Sequence, residues 1–456
     1  MKKIAIGGGQ GFWGDSPDAA IHMIRNGDIQ YLSCDYLAEL TLSIMAKQQL
    51  KDPSKGFAPD FLTRLLTAAG EEAWRKNIRI CTNAGGMNIT GCVDEIKTWA
   101  QAQGMKGYRI GYVTGDSIKE EIHRLLKEGW TFPNFDYDGD FHDIIDKIYN
   151  CNAYIGHEGI EGCLDQGADV VITGRAADSA LFLAPLKHEF GWAADNWDNL
   201  ARGIMAGHLL ECGGQGSGGN YMYDWRNVPR MDELGFPIAE LTEDTMEITK
   251  APDCGGIICE QSCKEQFLYE VLDPANYLTP DVNVDVSHAT ITQAGDNRVR
   301  IDGIKGKPRP DTIKLCVGYH KGWKTVSMLS FAWPDAYEKA QYCAEVIMKK
   351  MKRIGMKADD IHISYIGLNS LHLGVADMSE EALKNLNECV LRIAVFSEDK
   401  KECAKIIPEI SPLQLNGPPG ASFFGGRAHV QEVMALWPTT VPRDALHIES
   451  HILEVK

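Results

Sequence analysis

The sequence predicts an α/β protein: a doubly wound, mostly parallel sheet, followed by a smaller C-terminal α+β domain with a ferredoxin-like layer. Short apolar runs that end in glycine-containing turns, helical stretches between them, and a change to strand-then-helix order after about residue 296 together predict it. The chain has 456 residues, 44% hydrophobic and 24% charged, which suffices for two or three packed domains.

The elements follow in order. KKIAIGGGQGFWGDSPDAAIHMIRNG reads as a buried strand, a glycine-rich turn and a helix with Ala19, Ala20, Met23 and Ile24 on one face. IQYLSCD is a second strand. YLAELTLSIMAKQQL and FAPDFLTRLLTAAGEEAWRKN carry helical periodicity, the latter closed by a basic end. IRICTNAGG, YRIGYVTGD, NAYIGHEG and ADVVITGRAAD each run from an apolar core into a turn, so all four are expected in the same parallel sheet. GIMAGHLLEC is a helix that gives way to the loop GGQGSGGNY. The expected first domain covers residues 1–295. Within residues 296–456, RVRIDGIKG, TIKLCVGYH, WKTVSMLSFAW, HISYIGL and VLRIAVFSE are strands, AYEKAQYCAEVIMKKMKRIG is a helix, and the tail is rich in Pro and Gly.

Composition excludes several functions. With 46 Lys+Arg against 63 Asp+Glu the net charge is −17, and no basic stripe interleaved with aromatics offsets it, so nucleic acid is not an expected partner. No run reaches the roughly 20 apolar residues of a membrane span, and the start MKKIAIGGG lacks a secretory pattern. A cytoplasmic protein is expected, with no membrane partner and as a homo-oligomer. The 13 cysteines are scattered through apolar segments, as thiols are in a reducing compartment.

In a parallel sheet the carboxyl ends of the strands share one edge, and ligands bind in the crevice there. Residues 7–15 follow the first strand, and amides at Gly8 and Gly9 can approach an anion. They do not form a P-loop, since no Lys-Ser/Thr follows; a tight turn with Asp15 or Ser16 as cap is the alternative. TNAGGMN offers Asn83, Gly85, Gly86 and Asn88 to a carboxylate or carbonyl oxygen, or else forms an Asn-Gly turn. In TGRAADSALFLAP, Arg175 suits bidentate recognition of a carboxylate or phosphate, and Asp178 stands at a helix start; alternatively Asp178 caps that helix and pairs with Arg175. His157 and Glu158 are a proton-transfer pair, metal ligands or a solvated turn. His208 and Glu211 lie one turn apart ahead of a loop containing Gly213 and Gly214, and Glu211 stands closest to that loop. Asp35 and Glu39 add carboxylates at the same edge or simply start a helix. Cys254, Cys259 and Cys263 have no regular ligand spacing and read as core thiols, and no base is fixed beside Cys212 as a nucleophile.

The segments IGGGQGFWGD, CDYLAELTLSIMAK, CTNAGGMN, ADVVITGRAADSALFLAPLKHEFGW, GHLLECGGQGSGGNY and GFPIAEL resemble the acyclic terpene utilisation AtuA family across roughly residues 4–290. GPPGASFFGGRAHVQEVMALWP is similar both to that family's small α+β domain and to a small companion protein. The resemblance implies a bacterial catabolic protein linked to degradation of branched or isoprenoid-derived acids or their CoA thioesters. Together these observations predict a lyase or hydratase. Asp178, Glu211 and Glu158 would move protons; Arg175 with the amides of Gly8, Gly9, Gly85, Gly86, Gly213 and Gly214, and the carboxamides of Asn83 and Asn88, would bind substrate. Mg²⁺ or Mn²⁺ held by Asp15, Asp178 and Glu211 is a further expectation. The competing readings are a non-catalytic subunit that binds an acid or acyl-CoA, and a nucleotide-dependent ligase or kinase.

Overall fold

Five short apolar strands set the frame of the site. They are β1 (Ile4–Gln10), β2 (Tyr31–Cys34), β3 (Arg79–Thr82), β4 (Arg109–Thr114) and, beyond β5 (Ile148–Ala153), β6 (Val170–Ile172). The computed structural model describes residues 2–456. Every residue of β1, β2 and β6 is buried, as strands covered on both faces must be. In the sheet these strands stand in the order β1-β2-β3-β6-β4, and each neighbouring pair is parallel.

Glycines let helices close on β1 from both sides. A Cβ on Gly7 would lie 1.8 Å from Met23 Sδ, in the helix Asp18–Asn26, and one on Gly8 would lie 2.6 Å from the carbonyl oxygen of Leu210, which ends the helix Trp197–Leu210. Successive strand residues point to opposite faces, so β1 carries a helix on each. Ala19, Ala20, Met23 and Ile24 are the buried face of the first helix, as its spacing predicts.

The rest of the sheet is antiparallel, so the expected mostly parallel sheet is instead a mixed one. β7 (Pro237–Leu241) and β8 (Met246–Lys250) continue it beyond β1. After the two short strands β9 (Tyr277–Leu278) and β10 (Asn283–Asp285), β11 (Thr290–Gly295) and β12 (Arg298–Asp302) complete that edge. Hairpin-length turns join β7 to β8 and β11 to β12, which permits their antiparallel pairing without a crossover helix. β5, expected in the same parallel sheet, leaves it: after β13 (Lys305–Lys307) comes the long β14 (Thr312–Ala332), and β5 pairs with that strand.

Two compact units result. One comprises residues 2–318 and 436–456; the other comprises residues 319–435. The division does not fall at 295/296, because β12 is a strand of the large sheet. The final strand Glu449–Glu454 also returns to the first unit, lying antiparallel to β4. In the second unit, β15 (Asp360–Ile366), β16 (Glu388–Ser397), β14 and β17 (Ser422–Phe423) form an antiparallel sheet in that order. The helix Ala336–Arg353 packs Ala336, Ala340, Cys343, Ala344, Ile347 and Met351 into the core with Leu391, Ile393 and Val395. The chain is thus mixed α/β, with one large mixed sheet and smaller sheets.

Candidate active site

Because β1, β2, β3, β6 and β4 run in one direction, the residues that follow them collect along one edge, and specific contacts join them there. Asn83 is fully buried; its Nδ2 donates to Asp35 Oδ1 at 2.5 Å and its Oδ1 accepts from the Tyr36 amide at 2.7 Å. A Cβ on Gly85 would stand 2.6 Å from the carbonyl oxygen of Thr173, so the segment after β3 lies directly on the segment after β6. The Arg175 amide donates to Asp116 Oδ2 at 2.8 Å, which links β6 to the residue beyond β4. Residues 210–213 close the other end: a Cβ on Gly11 would lie 2.9 Å from the carbonyl carbon of Cys212.

Arg175 is the centre of this arrangement. Its side chain is only 2% exposed; Nη2 pairs with Asp178 Oδ1 at 2.8 Å, and Nη1 donates to the Leu37 carbonyl. The guanidinium lies 4.1 Å from the centroid of the Tyr154 ring, a cation–π stack in a desolvated setting. The Tyr154 hydroxyl donates to Glu39 Oε1 at 2.5 Å, and Lys314 Nζ reaches the same oxygen at 2.7 Å. Buried, Arg175 is not open to solvent as a free carboxylate clamp. It instead supplies a fixed positive charge beneath Asp178, whose side chain is 32% exposed.

Burial and neighbouring charges separate the carboxyl groups. Asp35 is pushed well above the usual carboxylate range, chiefly by burial and then by the charge of Asp178, against the opposing pull of Arg175 and Asn83. Its Oδ1 accepts from Asn83 and from the Leu37 amide. Glu211 is likewise raised by burial, with His208 pulling the other way. His208 Nδ1 meets Glu211 Oε1 at 3.0 Å; burial works to lower this histidine, but the bond to Glu211 together with the charges of Glu211 and Glu270 raises it overall. Tyr277 lies over His208, ring centroids 5.5 Å apart, and feels the charges of Glu211 and Asp178. One ion-paired aspartate therefore stands near two buried carboxyl groups whose proton affinity burial raises.

Several expected ligand groups have other work. Gly8 and Gly9 lie inside β1, where they allow close packing, so they do not form an anion loop. Asn88 caps the helix Ile89–Ala102 by accepting from the Gly91 amide, and its Nδ2 donates to the carbonyls of Pro53 and Lys55. Gly86, at φ +50°, is a turn glycine packed on Met45. Gly213 and Gly214 make room for Phe236 and Leu234. Asp15 accepts from the Gly11 and Ser16 amides. The expected metal set of Asp15, Asp178 and Glu211 does not form a group of ligand atoms within 4.8 Å among the described residues, because each is engaged by a different neighbour. Glu158 is exposed and pairs with Arg309, beside His157 and Asp281.

The cysteines are structural. Cys263 is buried; Cys259 caps the helix Glu260–Leu268; and the Cys254 thiol donates to the Ala251 carbonyl at 3.0 Å. Burial pushes the Cys212 thiol up to about 12, which leaves it a poor nucleophile at neutral pH. Sequence reasoning passed over Asp116, Tyr154, Lys314 and Tyr277. Asp116 ends the YRIGYVTGD strand segment and so carries the same edge signal as the other strand-end residues, whereas β5 and β14 bring Tyr154 and Lys314 to the site from outside the parallel sheet.

No curated protein and no solved structure matches this chain. No helix among the described residues is long and apolar enough to cross a membrane. A family model described as acyclic terpene utilisation family protein AtuA matches residues 4–452, and with nearly its whole length covered the chain belongs to that family.

Proposed function

We propose that the protein is a catabolic enzyme of the lyase or hydratase kind, acting in acyclic terpene utilisation on a branched carboxylic acid or its CoA thioester. The observation that carries this reading is the split among carboxyl groups at one sheet edge: Asp178 is ion-paired to buried Arg175, while burial raises Asp35 and Glu211. Carboxyl groups in such different surroundings, one ion-paired and partly exposed and two buried, divide the roles of base and acid. In the hydration direction, Asp178 takes a proton from water as the water oxygen bonds to the β-carbon. The alkene electron pair moves toward the thioester oxygen, and the α-carbon then takes a proton from Asp35 or Glu211. Arg175 stabilises the negative charge that develops between these steps. An acid-lined edge favours a thioester over a free carboxylate, because the thioester carbonyl carries no charge.

The family assignment supports the pathway, and the geometry supports the proton chemistry. The strand order β15-β16-β14-β17, with helices following β14 and β16, also supports a ferredoxin-like reading of residues 319–435. The test incubates purified protein with enoyl-CoA and 3-hydroxyacyl-CoA esters of branched acids and follows a mass change of one water by mass spectrometry. Turnover that Asp178→Asn and Glu211→Gln each reduce at least about 100-fold supports the reading. Binding without turnover, or turnover unaffected by Asp178→Asn, refutes it in favour of a non-catalytic acyl-CoA-binding subunit.

A further inference from the structure

A second cluster, which shares no side chain with the Asp35, Asp178 and Glu211 group, lies at the turn after β5. His157, Glu158 and Asp281 each offer a ligand atom there, all within 4.8 Å of one another. Three observations mark it as more than a chance grouping of charge. First, Asp281 is completely buried and its Oδ2 has no hydrogen-bond partner, although Oδ1 accepts from both the His157 amide and Nδ1. An unpartnered buried carboxylate oxygen is expensive and calls for a missing donor or ion. Second, Gly156 keeps the space between the two acids open: a Cβ there would sit 2.1 Å from Asp281 Oδ1 and 3.0 Å from Glu158 Oε2. Third, the opposite face of the imidazole meets a carboxylate, with His157 Nε2 3.5 Å from Glu161 Oε2, and Lys187 holds Glu161 at 2.9 Å. That is the outer support that metal-bound histidines commonly have.

We infer that His157, Glu158 and Asp281 form a binding site for a divalent first-row transition cation, with Glu161 as the outer carboxylate that orients the imidazole. One imidazole and two carboxylates suit Mn²⁺ and its neighbours better than the thiolate-rich sets of structural zinc. On binding, the cation replaces the proton on His157 Nδ1, which leaves to solvent, and Asp281 exchanges its bond to that proton for a bond to the metal. Two cations already face the cluster. Arg309 pairs with Glu158 in an exposed bridge, which contributes little and swings aside readily, and Arg443 contributes positive charge near Asp281.

The test uses untagged, metal-stripped full-length protein titrated with Mn²⁺, with free Mn²⁺ read by electron paramagnetic resonance. Mn²⁺ is the probe because thiols compete poorly for it. One Mn²⁺ per chain is expected, with affinity falling at least about tenfold in His157→Gln, Asp281→Asn and Glu158→Gln, and about tenfold in Glu161→Gln. Glu158 is exposed, so its variant reports on ligation without risk to folding. Arg309→Gln should tighten binding by freeing Glu158. The inference is overturned if wild-type protein takes up no Mn²⁺, or if Glu158→Gln and Arg309→Gln both leave its affinity unchanged. A loss of Mn²⁺ in Asp178→Asn would also overturn it, since that would place the ion at the other cluster.

Discussion

Replacing Arg175 by methionine tests whether a buried charge organises the sheet edge. Methionine keeps most of the side-chain volume and removes the cation. The lost contacts are the ion pair to Asp178 at 2.8 Å, the bond to the Leu37 carbonyl and the stack 4.1 Å over Tyr154. Removing one partner of a buried ion pair costs about 3–5 kcal/mol, mostly from the charge left behind. Water reaches Asp178, whose side chain is 32% exposed, and this places the expected cost near the lower bound, about 3 kcal/mol. Adding Asp178→Asn removes the stranded charge, so the double variant should recover roughly 1–2 kcal/mol of it, a coupling typical of residues in direct contact. Calorimetric unfolding at pH 7 reads both quantities; in a unit this large 1 kcal/mol shifts Tm by roughly 2 °C, giving a fall of about 6 °C for the single variant. A fall below about 2 °C, or strictly additive effects, would show that the guanidinium is well solvated and would remove the basis for assigning Asp178 as the base.

Asp35→Asn should flatten the pH dependence of stability. Between the ordinary aspartate value near 3.9 and the raised folded value, the folded protein keeps a proton that the unfolded chain has released, so stability falls as pH rises through that window, by up to about 1.4 kcal/mol per pH unit. Tm measured from pH 3 to 8 should show that slope in wild type and lose it in the variant; parallel curves would contradict the buried, protonated Asp35. Gly8→Ala and Gly85→Ala each put a Cβ 2.6 Å from a backbone carbonyl oxygen, and each should cost about 1–3 kcal/mol in denaturant unfolding, whereas a neutral outcome would mean the strand-end segments are not in contact. Alkylation with iodoacetamide at pH 8, mapped by peptide mass spectrometry, should modify Cys259 before Cys212. Burial works against Cys259 too, but the Ser262 amide and hydroxyl and the Tyr221 hydroxyl bring it below the usual thiol value, whereas burial holds Cys212 near 12; the reverse order would refute the assignment of Cys212 as inert.

The parts of the fold that sequence periodicity revealed are those in which local pattern and tertiary environment agree. The apolar runs of β1, β2, β3, β4 and β6 are buried and parallel, and Asp178 and Glu211 can be placed at their edge because their segments follow a strand or end a helix. Legibility failed where one local pattern serves two environments. A short strand such as β5 looks the same whether its partner is β6 or β14, since its pairing is set by a segment more than a hundred residues away. Glycines failed for a related reason. Gly8, Gly9, Gly85 and Gly213 suggested backbone amides turned toward an anion, but what the protein uses is the missing Cβ, which lets Leu210, Cys34, Thr173 and Phe236 come close. Asn83 and Asn88 show the same ambiguity between binding a ligand and binding the chain: one holds Asp35 and the other caps a helix. In both cases the residue brings segments of the chain together. Arg175 follows the same logic, because its buried guanidinium is engaged by Asp178, the Leu37 carbonyl and the Tyr154 ring. On the proposed reading, substitutions at Asn83 or Arg175, which hold Asp35 and Asp178, should change the pH profile of any turnover before they change substrate affinity.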